Sequence, residues 1–174
     1  MPKIVRHLYD FECHVFKMVN RHFDRKWLNL YFRWITHFGG AGFTISFVVL
    51  LALLSSKPLQ TTALASAVAL AFSHIPVAVM KKLYPRKRPY MKLMGTKVLK
   101  NPLKDHSFPS GHTTAVFSVI TPLICHYPAG AFFLLPLALS VGISRIYLGL
   151  HYPTDVLAGM TLGTSMGVLL FIFL

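Results

Sequence analysis

Three short stretches of this chain carry side chains of the kinds and spacings that phosphate chemistry needs. In Phe108-Pro109-Ser110-Gly111-His112-Thr113, Pro109 suits the first position of a helix, where a missing N–H costs nothing. The N–H groups of Ser110, Gly111 and His112 then point out of the helix start, with the positive end of the helix dipole behind them, and form an anion site. The Ser110 hydroxyl adds a donor, Gly111 admits an oxygen close to the backbone, and His112 moves a proton near neutral pH. In Ser144-Arg145-x5-His151-x3-Asp155, Arg145 lies near the end of an apolar run, an expensive place for an unpaired cation. His151 stands at the threshold of the last helix and Asp155 falls in its first turn, about one turn beyond. The carboxylate can hold one imidazole nitrogen and leave the other free as nucleophile or base. The third stretch runs from Lys81 to Arg88-Pro89; Arg88 offers a planar fork for phosphate oxygens and Lys81 a point charge. Each stretch has a plainer reading: a helix cap, a carboxylate complementing a helix dipole, and basic residues flanking a membrane helix.

Together they describe a pocket that binds a phosphate dianion and spreads stabilisation over its equatorial oxygens. In it His151 attacks phosphorus in line, while His112 protonates the leaving oxygen and later activates water. The chain shows neither paired carboxylates nor a His/Cys ligand set, so positive side chains take the place of a metal ion and no cofactor is expected.

These residues need a scaffold that gathers helix ends. The 174 residues are 54% hydrophobic and 13% charged, with 18 Lys+Arg against 5 Asp+Glu and a net charge of +13. Mean hydropathy is +0.55. This excludes a disordered chain, which is poor in apolar residues. Two cysteines, Cys13 and Cys125, exclude a disulfide scaffold. The charge would suit a nucleic-acid binder but the hydropathy does not, so no nucleic-acid partner is expected. What fits is an all-α, polytopic membrane helix bundle in a single domain over 1–174. Five segments approach the roughly 20 residues that a bilayer demands: 34–54, 61–80, 108–126, 129–147 and 153–174. Ala63, Ala67 and Ala71, and Gly159, Gly163 and Gly167, recur at helical spacing and let helices approach closely.

Residues 1–33 differ from the bundle of 34–174. Ile4, Leu8, Phe11, Val15 and Met18 share one helical face among basic residues, the pattern of an amphipathic helix lying in the membrane interface. Docking of this helix on the bundle is the other reading. No signal-peptide core or cleavage site is seen. Residues 81–107 form one long polar connection holding half of all Lys and Arg, opposed only by Asp105. By its charge alone it reads as a topology signal in contact with anionic lipid. Among the remaining residues, His74 is expected to be satisfied inside the bundle beside Pro76, although it could also line a lipid entry path. His37 and His126 fall at helix ends, Phe108 packs the candidate site helix, and Tyr84, Tyr90, Tyr147 and Tyr152 read as interface anchors.

The spacing Lys81-x6-Arg88-Pro89, then Pro109-Ser110-Gly111-His112, then Ser144-Arg145-x5-His151-x3-Asp155 resembles the tripartite signature of the type 2 phosphatidic acid phosphatase superfamily. These are lipid phosphate phosphatases related to vanadium haloperoxidases and glucose-6-phosphatase. The motifs occupy 81–89, 109–112 and 144–155, and the helix pattern extends the likeness from about 34 to the end. The resemblance implies that Lys81, Arg88, Ser110, Gly111 and Arg145 bind phosphate, that His151 is the nucleophile with Asp155 its partner, and that His112 is the acid. It also implies metal-independent hydrolysis at the non-cytoplasmic surface of a prokaryotic inner membrane. Many members have six membrane helices where this chain shows five and an amphipathic start, and the basic N-terminus would then lie outside, against the positive-inside rule.

The leading expectation is hydrolysis of a lipid phosphate or diphosphate, of the phosphatidylglycerol phosphate, phosphatidate, undecaprenyl diphosphate or lipid A type, with the bilayer as partner. Other readings are a phosphatase for a small soluble phosphate ester, a non-catalytic anion- or lipid-binding membrane protein, and a vanadium-dependent peroxidase. Binding alone needs only cations, so the set His151, His112 and Asp155 favours an enzyme.

Overall fold

The computed structural model describes residues 3–174, and in it the chain is all-α. The helices are α1 (Lys3–Asn20), α2 (Lys26–Ile35), α3 (Ala41–Leu54), α4 (Lys57–Leu83), α5 (Pro89–Lys92), α6 (Gly111–His126), α7 (Ala131–Tyr147) and α8 (Pro153–Phe173), with 3₁₀ turns at Thr36–Gly39 and Pro128–Gly130.

Three helices are long and apolar enough to cross a membrane, α4, α8 and α7 with its preceding turn; residues 26–39 and α3 together make a fourth, bent by 54°. The expected first span therefore starts elsewhere: Gly40 is extended and breaks the helix, so α3 begins at Ala41 rather than near Trp34. The expected third span is α6, whose 16 residues reach only about 24 Å, short of the ~30 Å hydrocarbon core. It tolerates this because it is buried without interruption from Thr113 to Leu123, wrapped by α4, α7 and α8 rather than by lipid.

The packing is that of a membrane protein. Leu53, Leu54, Phe72, Phe132, Phe133, Ile172 and Phe173 are exposed on the outside, while Ser66, Ser73, Thr114, Ser118 and Thr121 are buried. Their hydroxyls donate to carbonyls of their own helix, as Thr114 to Ser110 at 3.0 Å and Thr121 to Phe117 at 2.7 Å; Ser66 also donates across to the Val119 carbonyl on α6 at 3.0 Å. Small residues set the closest contact. A Cβ on Gly159, Gly163 or Gly167 would lie 2.6, 2.5 and 2.6 Å from Ser110 O, Thr114 O and Thr121 Cβ, so α8 lies directly on α6. The alanine row behaves differently. Ala63 is buried, but Ala67 and Ala71 line a groove of about 350 Å³ between α3 and α4, with Ile45, Val48, Val49 and His74.

Helix direction decides where the polar residues meet. α4 and α7 end, and α3, α6 and α8 begin, at one end of the bundle, where the Ser110 N–H donates to the Asp155 carbonyl at 3.0 Å. Helices α1 and α2 cover that end. The Asn20 amide donates to Tyr147 O at 2.9 Å and Lys97 O at 2.8 Å and accepts from Lys97 N at 3.0 Å, while Tyr147 OH donates to His22 O at 2.8 Å. The N-terminal helix docks on the bundle, as the second reading has it, and keeps an apolar stripe on its outer face. Leu8, Phe11 and Met18 face outward at 62%, 68% and 48% exposure, whereas Glu12, Cys13, Phe16 and Asn20 are buried against the bundle; the side chain of Ile4 lies outside the described residues. Tyr147 and Tyr152 are also buried, at 1% and 0% exposure, and so are core residues rather than the interface anchors expected of them.

Replacing Gly163 by alanine should lower the thermal midpoint of the detergent-solubilised protein, at a cost of about 1–3 kcal/mol, because the new methyl meets backbone of α6. Gly42, with nothing within 4 Å of its would-be Cβ, provides the control. Its alanine variant should melt at or slightly above the parent. Equal melting of both variants would contradict the close α6–α8 contact.

Candidate active site

The site is assembled from the ends of four helices, and a turn places its central imidazole. Helix α7 terminates through Gly149, which takes φ +78 and whose Cβ would sit 2.4 Å from Lys97 O. The turn folds back so that the Leu150 and His151 N–H groups both donate to the Arg145 carbonyl at 3.1 Å. His151 is thereby aimed into the bundle and is 2% exposed. Pro153 opens α8, and Asp155 in its first turn accepts the Tyr152 N–H on Oδ2 at 2.8 Å. The same oxygen lies 3.6 Å from His151 Nδ1, an ion-pair distance just outside a hydrogen bond.

His151 Nε2 faces the opposite way, 3.0 Å from Arg88 Nη1. Arg88 is itself buried and fixed on every side: Nη1 donates to Leu150 O at 2.9 Å, Nε to Asp105 O at 2.9 Å and Nη2 to Asp105 Oδ1 at 2.7 Å. Lys81, in the last turn of α4, pairs with the other carboxylate oxygen of Asp105. Asp105 thus joins the two expected phosphate cations. Burial works against its charge, yet hydrogen bonds from Lys81 and Arg88 hold its carboxyl down at about 2. Burial pushes the His151 imidazole down to about 4, helped by Arg145 and Arg88 and opposed by Asp155. At neutral pH the ring is therefore uncharged, and its Nε2 lone pair accepts a hydrogen from Arg88 Nη1.

Arg145 is 3% exposed; Nη1 donates to Thr36 Oγ1 at 2.7 Å, and Nε has no partner. Ser110 is the N-cap of α6 and Gly111 its first residue, so Pro109 precedes the helix instead of opening it. The Ser110 N–H is spent on Asp155 O, and the first helical bond comes at Thr114 N, which leaves the Gly111, His112 and Thr113 amides as the free donors of this helix start. The Ser110 hydroxyl meets Thr113 Oγ1 at 2.9 Å. His112 stands within Coulombic reach of Arg145, His151 and Arg88, and its Nε2 is 3.9 Å from where a Cβ on Gly40 would be. All eight expected residues thus gather at this end, Lys81 through Asp105. Among the described residues no three His, Cys, Asp or Glu side chains converge as a metal-ligand set.

Four participants escaped the sequence reading. Thr36 holds Arg145. Arg86 donates from Nη1 to Asp155 Oδ1 and to Thr154 Oγ1, each at 2.8 Å, and its guanidinium lies 3.9 Å over the Tyr152 ring. Glu12, from α1, pairs with Arg86 and accepts from Thr154. Asp24 pairs with Lys97, so Asp105 is not alone in opposing the basic connection. That connection is also ordered: it holds α5, the Ser107 N–H donates to Arg86 O at 2.9 Å, and Tyr90 OH donates to Leu103 O at 3.0 Å. A basin lined by Arg33, Thr36, His37, Leu99 and Lys100 opens beside Thr36, the partner of Arg145. His74 Nδ1 bonds Leu70 O at 2.9 Å and also lines the α3–α4 groove, and His126 Nδ1 meets Thr62 Oγ1 at 2.9 Å.

Known proteins are similar to this chain in sequence and fold. The putative undecaprenyl-diphosphatase YbjG of Escherichia coli (strain K12) is 37% identical over 98 residues, 56% of this chain and 49% of that protein. Phosphatidylglycerophosphatase B of Bacillus subtilis (strain 168) is 30% identical over 156 residues, 79% of this chain and 70% of that protein. The crystal structure of Aquifex aeolicus LpxE superposes with a TM-score of 0.79 at 25% identity, covering 91% of this chain and 93% of that one. The chain spans about half the length of the first curated relatives it matches. The family model described as the PAP2 superfamily matches residues 62–174, which include every expected site residue, and the chain belongs to that superfamily.

Proposed function

We propose that this protein hydrolyses a phosphate monoester or diphosphate on a membrane lipid, without a metal ion, through a phosphohistidine on His151. One observation carries the reading: a buried, uncharged imidazole is held between the Asp155 carboxylate on Nδ1 and the Arg88 guanidinium on Nε2. Binding of an anion would need the guanidinium alone. The names of the relatives, an undecaprenyl-diphosphatase and a phosphatidylglycerophosphatase, support a lipid phosphate as substrate.

Arg88, Lys81 and Arg145, with the Gly111 and His112 amides and the Ser110 hydroxyl, take the phosphoryl oxygens. As Arg88 turns its Nη1 hydrogen from His151 Nε2 to a phosphoryl oxygen, the released Nε2 lone pair forms the N–P bond while the P–O bond to the lipid breaks. Asp155 stabilises the positive charge that appears on the ring, and His112 gives its proton to the leaving oxygen. Water then attacks phosphorus and passes a proton to His112; the N–P bond breaks and inorganic phosphate leaves. The apolar chain of the lipid lies in the α3–α4 groove, whose Ala41 end adjoins Gly40 and so the His112 side of the site. We place the site at the non-cytoplasmic surface of the inner membrane, so exposed Cys125, at the far end of α6, should resist a membrane-impermeant maleimide in intact cells and react after lysis. Ready labelling in intact cells would reverse the orientation.

Phosphate release from phosphatidylglycerol phosphate, phosphatidate and undecaprenyl diphosphate, measured on purified protein with EDTA, tests the activity. His151→Ala should abolish it in a folded protein, and Asp155→Asn should slow it roughly a thousandfold. Loss of Arg145 should lower kcat/KM by about a hundredfold or more. Appreciable turnover by His151→Ala would remove the nucleophile. Since the reactive form is the neutral ring, activity is lost as pH falls through the His151 value. After correction for the substrate's own titration, the acid limb of kcat/KM should lie near pH 4. A limb at the ordinary imidazole value of about 6.5 would contradict the buried assignment. Finally, Asp105→Asn removes the carboxylate that competes for Arg88 and Lys81, and inorganic phosphate should then inhibit roughly fivefold more tightly. Weaker inhibition would make Asp105 a support of the phosphate site instead of a competitor.

A further inference from the structure

The far side of Asp155 has a partner that the hydrolytic steps do not use. Its Oδ2 is taken by the Tyr152 N–H and faces His151, while Oδ1 is taken by Arg86. A bare guanidinium there would draw the carboxylate's charge away from the imidazole. The carboxylate of Glu12 stands on the other side of that guanidinium and also accepts from the Thr154 hydroxyl, which Arg86 bonds as well. Glu12 is 6% exposed and comes from α1, 74 residues before Arg86 and 142 before Thr154. Such a buried carboxylate is costly unless paired, and its pairing closes a chain Glu12–Arg86–Asp155–His151 of alternating sign.

We propose that Arg86 and Glu12 are positioning residues for the His151–Asp155 pair: Arg86 fixes the outer oxygen of Asp155 so that the inner one stays aimed at Nδ1, and Glu12 offsets the charge of Arg86 so that Asp155 keeps its field on the ring. The inference rests on the roles given above to His151 and Asp155. It makes α1 part of the site, since the same face of α1 that carries Glu12 sets Phe16 against Tyr152, ring centroids 6.0 Å apart, while Tyr9 sits 6.2 Å from it. Arg86 itself responds as such a chain requires: burial opposes its charge, and Asp155 and Glu12 together raise its pKa above the ordinary value.

The other charged groups facing the pair are Arg88 and Arg145, with Asp105 behind Arg88, and the titratable His112 faces it from α6. None of them changes in the variants below. Because the two positioning residues carry opposite charge, removing each should move the His151 titration in opposite directions. Loss of Arg86's charge stabilises the imidazolium and raises the midpoint; loss of Glu12's charge lowers it. A packing defect would not give opposite signs.

The test is an NMR titration of the full chain in detergent micelles, labelled with ¹⁵N-histidine, the His151 signal being assigned by its loss in His151→Ala. Arg86→Gln should raise the His151 midpoint and Glu12→Gln lower it, each by roughly half a pH unit or more, and the double variant should return it toward the parent. Alongside, kcat should fall about tenfold in each single variant with KM within twofold, and Glu12→Asp, which keeps the charge, should recover part of the loss. Unmoved midpoints, or two shifts of the same sign, would overturn the proposal. Should Arg86→Gln not fold, Glu12→Gln decides alone, an unmoved or raised midpoint counting against. Turnover by His151→Ala would fault the nucleophile assignment instead, while a dead His151→Ala beside unmoved midpoints would fault only the roles of Arg86 and Glu12.

Discussion

Everything at the working end of this bundle follows from placing guanidinium groups where water is scarce. A buried cation is tolerated only with partners, and this chain has five carboxylates for eighteen basic side chains. Four of the five, Glu12, Asp24, Asp105 and Asp155, are spent on cations of one connection: Lys81, Arg86, Arg88 and Lys97. Arg145 is treated differently. Among the described residues it has a hydroxyl, Thr36 Oγ1, and no carboxylate, and its Nε is buried without a partner. Under the proposed function an incoming phosphate supplies the compensation that Arg145 lacks, while Arg88 and Lys81 are held until then by Asp105. A set balanced throughout would bind anions weakly, and an unbalanced set would not fold at low dielectric.

Helix packing turns that balance into geometry. Gly159, Gly163 and Gly167 bring α8 down onto α6, and only at that distance does the Ser110 N–H reach the Asp155 carbonyl. The two helix starts are thus locked in register, one bearing the amide donors and the other the carboxylate. The Gly149 turn then sets His151 between them. Two kinds of glycine do this work, one by absence of a side chain at a helix contact and the other by a left-handed backbone.

Much of this was legible in the residues because the motifs lie on helix ends, where spacing fixes direction. His151 and Asp155 are four apart across a helix start, and the membrane segments are marked by composition alone. Arg86 was hidden inside a basic run in which every residue looks alike, and only the fold shows that Arg86 and Arg88, two apart, turn to Asp155 and His151. Thr36 and Glu12 meet the site from far along the chain, at separations of 109 from Arg145 and 74 from Arg86, and no local pattern carries that. Pro109 was misplaced by two positions because a proline before a cap and a proline at the first helical residue look the same in sequence.

The N-terminal helix shows how hydrophobic periodicity works in a membrane protein. In water an apolar stripe marks the face that packs on the protein. Here the stripe Leu8, Phe11, Met18 faces outward, away from the bundle, and the inward face carries Glu12, Phe16 and Asn20. Reading the stripe located the outward face and left the opposite face unexamined. That opposite face is where a carboxylate and an amide can be buried at little cost, since each finds a polar partner at the open end of the bundle: Glu12 at Arg86, Asn20 at Tyr147 O. In an interfacial helix of this kind, the polar residues between the stripe positions are the ones to inspect for contact with a site.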